Sequence, residues 1–584
     1  MTAQRVYLST TIPYVNGRPH LGHALELVQA DVLARHHRRT GDEVRLQSGT
    51  DDNSLKNVLA AAAEGIGTRE LVNRNAGEFA ALREHLSLSF DDFIRTSSDP
   101  RHRPGVERLW RACAASGDLY RKAYEGLYCV GCEQFYTEAE LIGGNCPEHG
   151  TPPQLVAEEN WFFRLSRYAG QLHELISSGQ LRIEPAARRN EVLRFIEGGL
   201  ADFSASRSIG RARGWGIDVP GDPTQVIYVW WDALGNYITA LNYGSSAEQG
   251  TDYQRWWACA DRRVHLVGKG VLRFHAVYWP AILLSAGEPL PTEIVVHDYL
   301  TIDGHKISKS AGASASSDPA ALADEYGADA LRWWLLREVP RVGDTDFTVA
   351  KLIDRANDDL ANGLGNLINR VVSMAHSYRN GAVRPCRHPQ GTGRYLAVAA
   401  DRRDGRASAS GPDGPAGAPD WPADASALRA TIEAAPQAVR TALAGCDFRA
   451  AAAAVWRIVE DANRYVETAR PWHLARAERV GDSPDERAEA GARLDQVLGA
   501  LLAACQVLAA EIWPFLPDLA ARVAAACDDY GTLPRPQPVF PRLETRAVGS
   551  ADRQYPAVAG DLPHIPPGEP ERQVASNRTI DEVA

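Results

Sequence analysis

The chain opens on Arg5-Val6-Tyr7-Leu8-Ser9-Thr10, a short apolar run that predicts a buried strand. A loop over 17–22 follows, and then a stretch over 23–40 whose apolar positions recur at helical spacing and which Gly41 ends. A second strand is predicted over 43–48, leading into Gly49-Thr50-Asp51. Strand, loop, helix, strand in that order is the pattern of an α/β doubly wound parallel sheet. From about 118 to 207 the alternation breaks into a cysteine-bearing, aromatic-rich stretch, and strand character resumes at 225–231 and 263–267. The sheet is therefore expected to be discontinuous in sequence. From about Asp318 the period turns helical, with Ala-rich segments over 450–466 and 490–512, and predicts a helix bundle. Gly, Pro, Asp and Ser crowd 391–425, which is expected to be disordered, as is the tail over 546–584.

Composition bounds this picture. A chain of 584 residues has room for several domains, and 45% hydrophobic with 23% charged residues is ordinary for a globular protein. No run of about 18 apolar residues is evident and the first residues lack an apolar signal, so no membrane partner and a cytoplasmic location are expected. The net charge of −11 offers no global attraction for nucleic acid, so any RNA contact must rest on local patches. The nine cysteines argue against a disulfide framework. Cys129-x2-Cys132 and Cys146-Pro147-Glu148-His149 provide three thiolates and an imidazole, the donor set of one closed, structural Zn²⁺.

Two motifs carry the candidate chemistry. Pro19-His20-Leu21-Gly22-His23 stands where a helix begins after the first strand, a place where backbone N–H groups and the helix dipole attract phosphate. Two imidazoles there can stabilise charge building on a phosphate. Far downstream, Lys306-Ile307-Ser308-Lys309-Ser310 follows Gly304 and puts two ammonium groups where they can accompany a departing pyrophosphate. Taken together the two resemble the paired signatures of class I aminoacyl-tRNA synthetases, which imply a Rossmann-like sheet around ATP. The segments Thr11-Ile12-Pro13-Tyr14-Val15-Asn16-Gly17, Tyr228-Val229-Trp230-Trp231-Asp232-Ala233-Leu234 and Phe274-His275-Ala276-Val277-Tyr278-Trp279-Pro280 are similar to those of methionyl-tRNA synthetases, with a likeness running from about residue 5 to 545.

That resemblance implies the remaining roles. Ile12, Tyr14, Trp230, Ala233, Leu234, Tyr237, Val271, His275 and Trp279 would line the methionine side-chain pocket, and Asp51 would hold the ammonium. His20, Gly22, His23, Gly268, Lys306, Ser308 and Lys309 would bind ATP, which enters with Mg²⁺; His20, His23, Lys306 and Lys309 would be catalytic. Asn366, Arg370 and Trp472 match anticodon-reading positions of tRNA(Met). The domains implied are a Rossmann-like catalytic domain in two halves, 1–117 and 208–317, around a zinc-knuckle insertion over 118–207, then a stem over 318–350 and a helical anticodon-binding domain over 351–545. A monomer is expected.

The chain departs from the family pattern at three places. Asp52-Asn53-Ser54 follows Asp51 where the pattern has an acidic residue, a histidine and a glycine, so the histidine is missing; Gly270 stands where the pattern carries an aspartate for the ATP ribose; Ile307 stands for methionine. A nucleotide site lacking that acceptor is expected to bind ATP about ten- to a hundred-fold more weakly. The altered site keeps open an RNA-independent ligase that forms methionyl-adenylate for a small amine, and a non-catalytic RNA-binding regulator.

Overall fold

The computed structural model describes residues 3–129, 134–148, 150–245, 251–307, 317–387, 420–527 and 532–544. Six parallel strands form the central sheet: β1 (Arg5–Thr10), β2 (Glu43–Thr50), β3 (Asp92–Arg95), β4 (Arg182–Glu184), β5 (Arg262–Gly268) and β6 (Glu293–His297). Their order is β3-β2-β1-β5-β6-β4. The chain moves outward from β1 through β2 to β3, then returns to the other side of β1. This reversal between β1 and β5 opens a crevice at the carboxyl ends of the strands, where doubly wound sheets take ligands.

Helix α1 (Leu21–Thr40) crosses from β1 to β2, burying Leu21, Leu25, Val28 and Val32 against the sheet. It stops at Gly41, whose φ of 93° is in the left-handed region, after a last turn containing His37, Arg38 and Arg39 that suits the negative end of the helix dipole. The expected strands 43–48 and 263–267 are present and slightly longer. The expected strand over 225–231 is different. Asp222–Ile227 is a strand of a small antiparallel sheet with Asp218–Val219 and Ser206–Ser208, and Val229 already begins helix α2 (Val229–Thr239). The β-branched and aromatic run Val229-Trp230-Trp231 suggests a strand by propensity, but burial of nearly every α2 side chain overrides that preference.

Within 118–207, Leu119–Cys129 and Gln154–Phe163 pair antiparallel as the body of a separate four-stranded sheet. The same stretch then rejoins the core, because β4 pairs with β6.

The carboxyl-terminal region is helical, comprising α3 (Asn366–Arg379), α4 (Ser426–Ala444), α5 (Phe448–Ala469), α6 (Pro471–Val480), α7 (Pro484–Ile512) and α8 (Pro517–Ala526), besides shorter helices from Pro319 to Gly365. Helix α7 is long and apolar enough to cross a membrane, yet 83% of its apolar stretch is buried inside the protein, which marks a bundle core. Of the segments expected to be disordered, 391–419 and the tail lie outside the described residues. Contrary to the expected disorder, Asp420–Ala425 is structured: Pro422 and Ala425 are buried, and Trp421 Nε1 donates to the Arg387 carbonyl at 2.7 Å.

Two buried ion pairs join the helical region to α1. Arg332 meets Asp31 at 2.8 Å and also donates to the carbonyls of Leu86, Pro514 and Phe515. Arg39 meets Glu511 at 2.7 Å. Each charge has its partner, so removing one side would strand a buried ion.

Candidate active site

The crevice at the strand reversal holds a cavity of about 280 Å³. Segments leaving the sheet supply most of its wall: Thr11 to Tyr14 after β1, Asp51 after β2, Gly268 at the end of β5 with Gly270 and Val271 beyond it, and His297 to Leu300 at the end of β6. Helix α1 adds His20, Gly22, His23 and Glu26 from its amino-terminal end, while α2 adds Trp230, Ala233, Leu234 and Tyr237.

The two histidines build the start of α1. The His20 ring accepts from the Gly22 backbone N–H at 3.1 Å through Nδ1, and the His23 ring accepts from the His20 backbone N–H at 3.0 Å through Nδ1. The rings stack with centroids 3.7 Å apart. A nitrogen that accepts from an amide cannot carry the proton, so in both neutral rings Nε2 is the N–H donor. The capping geometry thus sets a tautomer suited to phosphate oxygens, at a helix end that already attracts anions.

At the apolar end, Trp230 stacks on Phe274 at 3.8 Å and meets Tyr14 edge to face at 6.2 Å. His275 Nδ1 donates to the Val271 carbonyl at 2.9 Å, so Nε2 accepts from the Tyr237 hydroxyl at 2.7 Å. Burial pushes the His275 pKa down to about 4, which keeps this imidazole uncharged near neutral pH. Asp51, 1% exposed, is held by its own N–H donating to the Pro13 carbonyl at 2.9 Å and by Asn53 N–H donating to its Oδ1 at 3.1 Å. Asp51 lines the cavity.

All the expected methionine-pocket residues except Trp279 line the cavity. Trp279 is fully buried one layer behind, its Nε1 donating to His265 Nε2 at 3.2 Å. Asn53 also turns away, donating through Nδ2 to Asp232 Oδ2 at 2.7 Å. Lys306 ends a hairpin strand paired with Leu300–Ile302, and Ile307 lines the cavity, so the lysine motif begins at its mouth. Ser308 and Lys309 lie outside the described residues.

Glu26, His297, Asp298 and Tyr299 complete the wall and are absent from the sequence-based set. Glu26 accepts from Thr11 N–H at 2.7 Å and meets His297 Nε2 at 3.0 Å. Burial is the largest single influence on His297 and lowers its pKa, but the hydrogen bond and charge of Glu26 together with those of Asp298 outweigh it, and the net shift is upward. Glu26 was findable, since it falls one turn after His23 on the same face of α1.

Away from the cavity, Cys129 and Cys146 are buried in a small cluster with Tyr136 and Leu141. Cys132 and His149 lie outside the described residues, and among the described residues no three potential ligands come together. On the helical region Asn366 is exposed, Arg370 pairs with Glu467 at 2.6 Å, and Trp472 is 38% exposed beside a groove of about 380 Å³ shared with His473 and Arg476.

A family profile described as tRNA synthetases class I (M) matches residues 6–154 and 148–372. The methionine–tRNA ligase of Brucella melitensis is 37% identical over 566 residues, 93% of this chain and 98% of that protein. The methionine–tRNA ligase of Mycobacterium bovis is 37% identical over 569 residues, covering 97% and 98%. Among solved structures, Mycobacterium tuberculosis methionyl-tRNA synthetase in complex with methionyl-adenylate superposes with a TM-score of 0.78 at 35% identity, over 92% of this chain and 100% of that one. The reversal-point cavity, the histidine-capped helix and this end-to-end likeness have one reading: the chain belongs to the methionyl-tRNA synthetases of class I.

Proposed function

We propose that this protein activates L-methionine with ATP and transfers it to tRNA(Met). The observation that carries the reading is that one cavity brings together an apolar aromatic chamber, the Asp51 carboxylate and the two-histidine start of α1. A thioether suits aromatic walls, an ammonium suits Asp51, and a triphosphate suits the helix end. The methionine carboxylate attacks the α-phosphorus of ATP and the bond to the bridging oxygen breaks, giving methionyl-adenylate and pyrophosphate. A terminal ribose hydroxyl of the tRNA then attacks the carbonyl carbon, loses its proton and displaces AMP. His20 and His23 donate from Nε2 to the α-phosphate oxygens, Lys306 and Lys309 accompany the pyrophosphate, and Mg²⁺ travels with ATP. Holding the reactants in one cavity supplies much of the acceleration.

The helical domain over 351–545 reads the anticodon through Asn366, Arg370 and Trp472, with Arg370 exchanging its bond to Glu467 for one to a base. Relatives of matching length that carry the name methionine–tRNA ligase do not favour the RNA-independent ligase or the regulator. Methionine-dependent ATP–pyrophosphate exchange followed by charging of tRNA(Met) tests the reading; exchange without charging returns the RNA-independent ligase. Trp472→Ala should weaken charging by about 1–3 kcal/mol and leave exchange unchanged, because base stacking lies far from the cavity. Equal loss in both assays would make Trp472 a folding residue.

The insertion over 118–207 is a zinc knuckle in this reading. Buried Cys129 and Cys146 in one cluster fit a thiolate donor pair, and Cys132 and His149 would complete the tetrahedron. Elemental analysis of the purified protein should find about one zinc per chain, and Cys129→Ala with Cys146→Ala should abolish it. Stoichiometric zinc retained by that double variant would place the metal elsewhere. The protein acts as a cytoplasmic monomer on this reading.

A further inference from the structure

Asp51 and helix α2 reach the cavity from distant parts of the chain, and one residue ties them together. Asn53 Nδ2 donates to Asp232 Oδ2 at 2.7 Å, between positions 179 apart in sequence. The backbone N–H of the same residue donates to Asp51 Oδ1 at 3.1 Å. Asp232 stands on α2 between Trp230 and Ala233, which both line the cavity. Each end of the tie is anchored. Asp232 is 1% exposed and its other oxygen bonds His102 Nε2, while His102 Nδ1 meets Thr239 Oγ1 at 2.7 Å. Thr239 is the last residue of α2, so one buried imidazole holds that helix near its start and at its end. On the other side, Asn57 Nδ2 donates to the Asp51 carbonyl at 3.0 Å, and the Asp52 carboxylate accepts from Thr50, Arg95 and Ser97. A bond to a buried carboxylate fixes distance, because breaking it leaves a desolvated charge short of a donor.

We propose that Asn53 is a positioning residue that sets the distance between Asp51 and the apolar wall of α2, and with it the length of amino acid that the cavity accepts. The proposal rests on the reading in which Asp51 holds the ammonium and α2 receives the side chain. With the ammonium fixed, a side chain one methylene too long meets α2 and one too short leaves a gap. Such a difference is worth about 10–200-fold in a well-held pocket. A loop able to slide against α2 accommodates either length and loses the discrimination. The amide stands where the family pattern carries a histidine, so this bond belongs to the departure itself.

Amino-acid-dependent ATP–pyrophosphate exchange is measured with L-methionine, with L-ethionine, one methylene longer, and with S-methyl-L-cysteine, one methylene shorter. Asn53→Ala deletes the donor and leaves the backbone N–H on Asp51. It should raise the KM for methionine about three- to tenfold with kcat little changed and ATP affinity steady. The kcat/KM preference for methionine over at least one of the other two amino acids should narrow by about three- to tenfold. Asn53→Asp keeps size and shape but sets a carboxylate against Asp232, and should lose more. Adding Asp232→Asn reverses donor and acceptor, leaves an oxygen for His102, and should recover most of that loss, which a merely structural weakening would not do. No exchange by the unmodified protein would overturn the proposed function and this assignment with it. Exchange by the unmodified protein, with unaltered selectivity in Asn53→Ala, would overturn the assignment alone. So would equal losses for all the amino acids, or a double variant no better than Asn53→Asp.

Discussion

Replacing His20 with asparagine should slow methionine-dependent pyrophosphate exchange about 10²–10³-fold while leaving the melting temperature unchanged. The amide oxygen of asparagine can take the place of Nδ1 and accept from Gly22 N–H, and asparagine is among the best residues for starting a helix. It has nothing to put in place of Nε2–H. The variant therefore separates the capping of α1 from the proposed donation to the α-phosphate. Loss of one preorganised donor to a developing oxyanion costs about 2.7–4 kcal/mol, all of it in kcat. Exchange rate and thermal unfolding measured on the same preparation decide the matter. Normal exchange would show that His20 serves the fold alone, and a falling melting temperature with falling exchange would leave the two tasks inseparable.

Asp51→Asn should raise the dissociation constant for methionine about 30- to 1,000-fold, the equivalent of about 2–4 kcal/mol for truncating one side of a desolvated charge pair. The substitution keeps size and shape, and its amide oxygen can still accept from Asn53 N–H, so the loop after β2 should hold. ATP affinity is expected to stay level because the proposed role of Asp51 is to hold the ammonium of methionine. Titration with methionine and with ATP separates the outcomes: equal weakening of both would point to a disturbed cavity, and unchanged methionine binding would remove Asp51 from substrate recognition.

The doubly wound sheet, its interruption, the helical second half and the start of α1 follow from local signals. Apolar runs of strand length, a helix-stopping Gly41 and the histidine pair at a strand-to-helix turn act over a few residues, and each points to the structure it forms. Short elements did not show in the same way. β3 and β4 have only four and three residues, and Arg182-Ile183-Glu184 becomes a strand only because β6 offers it an edge. At α2 the sequence held two competing signals. Trp230, Ala233, Leu234 and Tyr237 recur at helical spacing on one face, which was the better guide than the strand propensity of Val229-Trp230-Trp231.

By itself the sequence determined the family and the parallel-sheet class, because these depend on residue identity and on spacing along the chain. The tertiary structure decided which side chains reach the cavity. It set Trp279 one layer back, turned Asn53 toward Asp232, and paired Glu26 with His297 across residues 271 positions apart. It also brought Tyr299 from the end of β6 over Gly270 at the end of β5. Parallel strands remote in sequence end side by side, so what fills the space at a missing side chain comes from a neighbouring strand, and nothing within a local window of either segment records it.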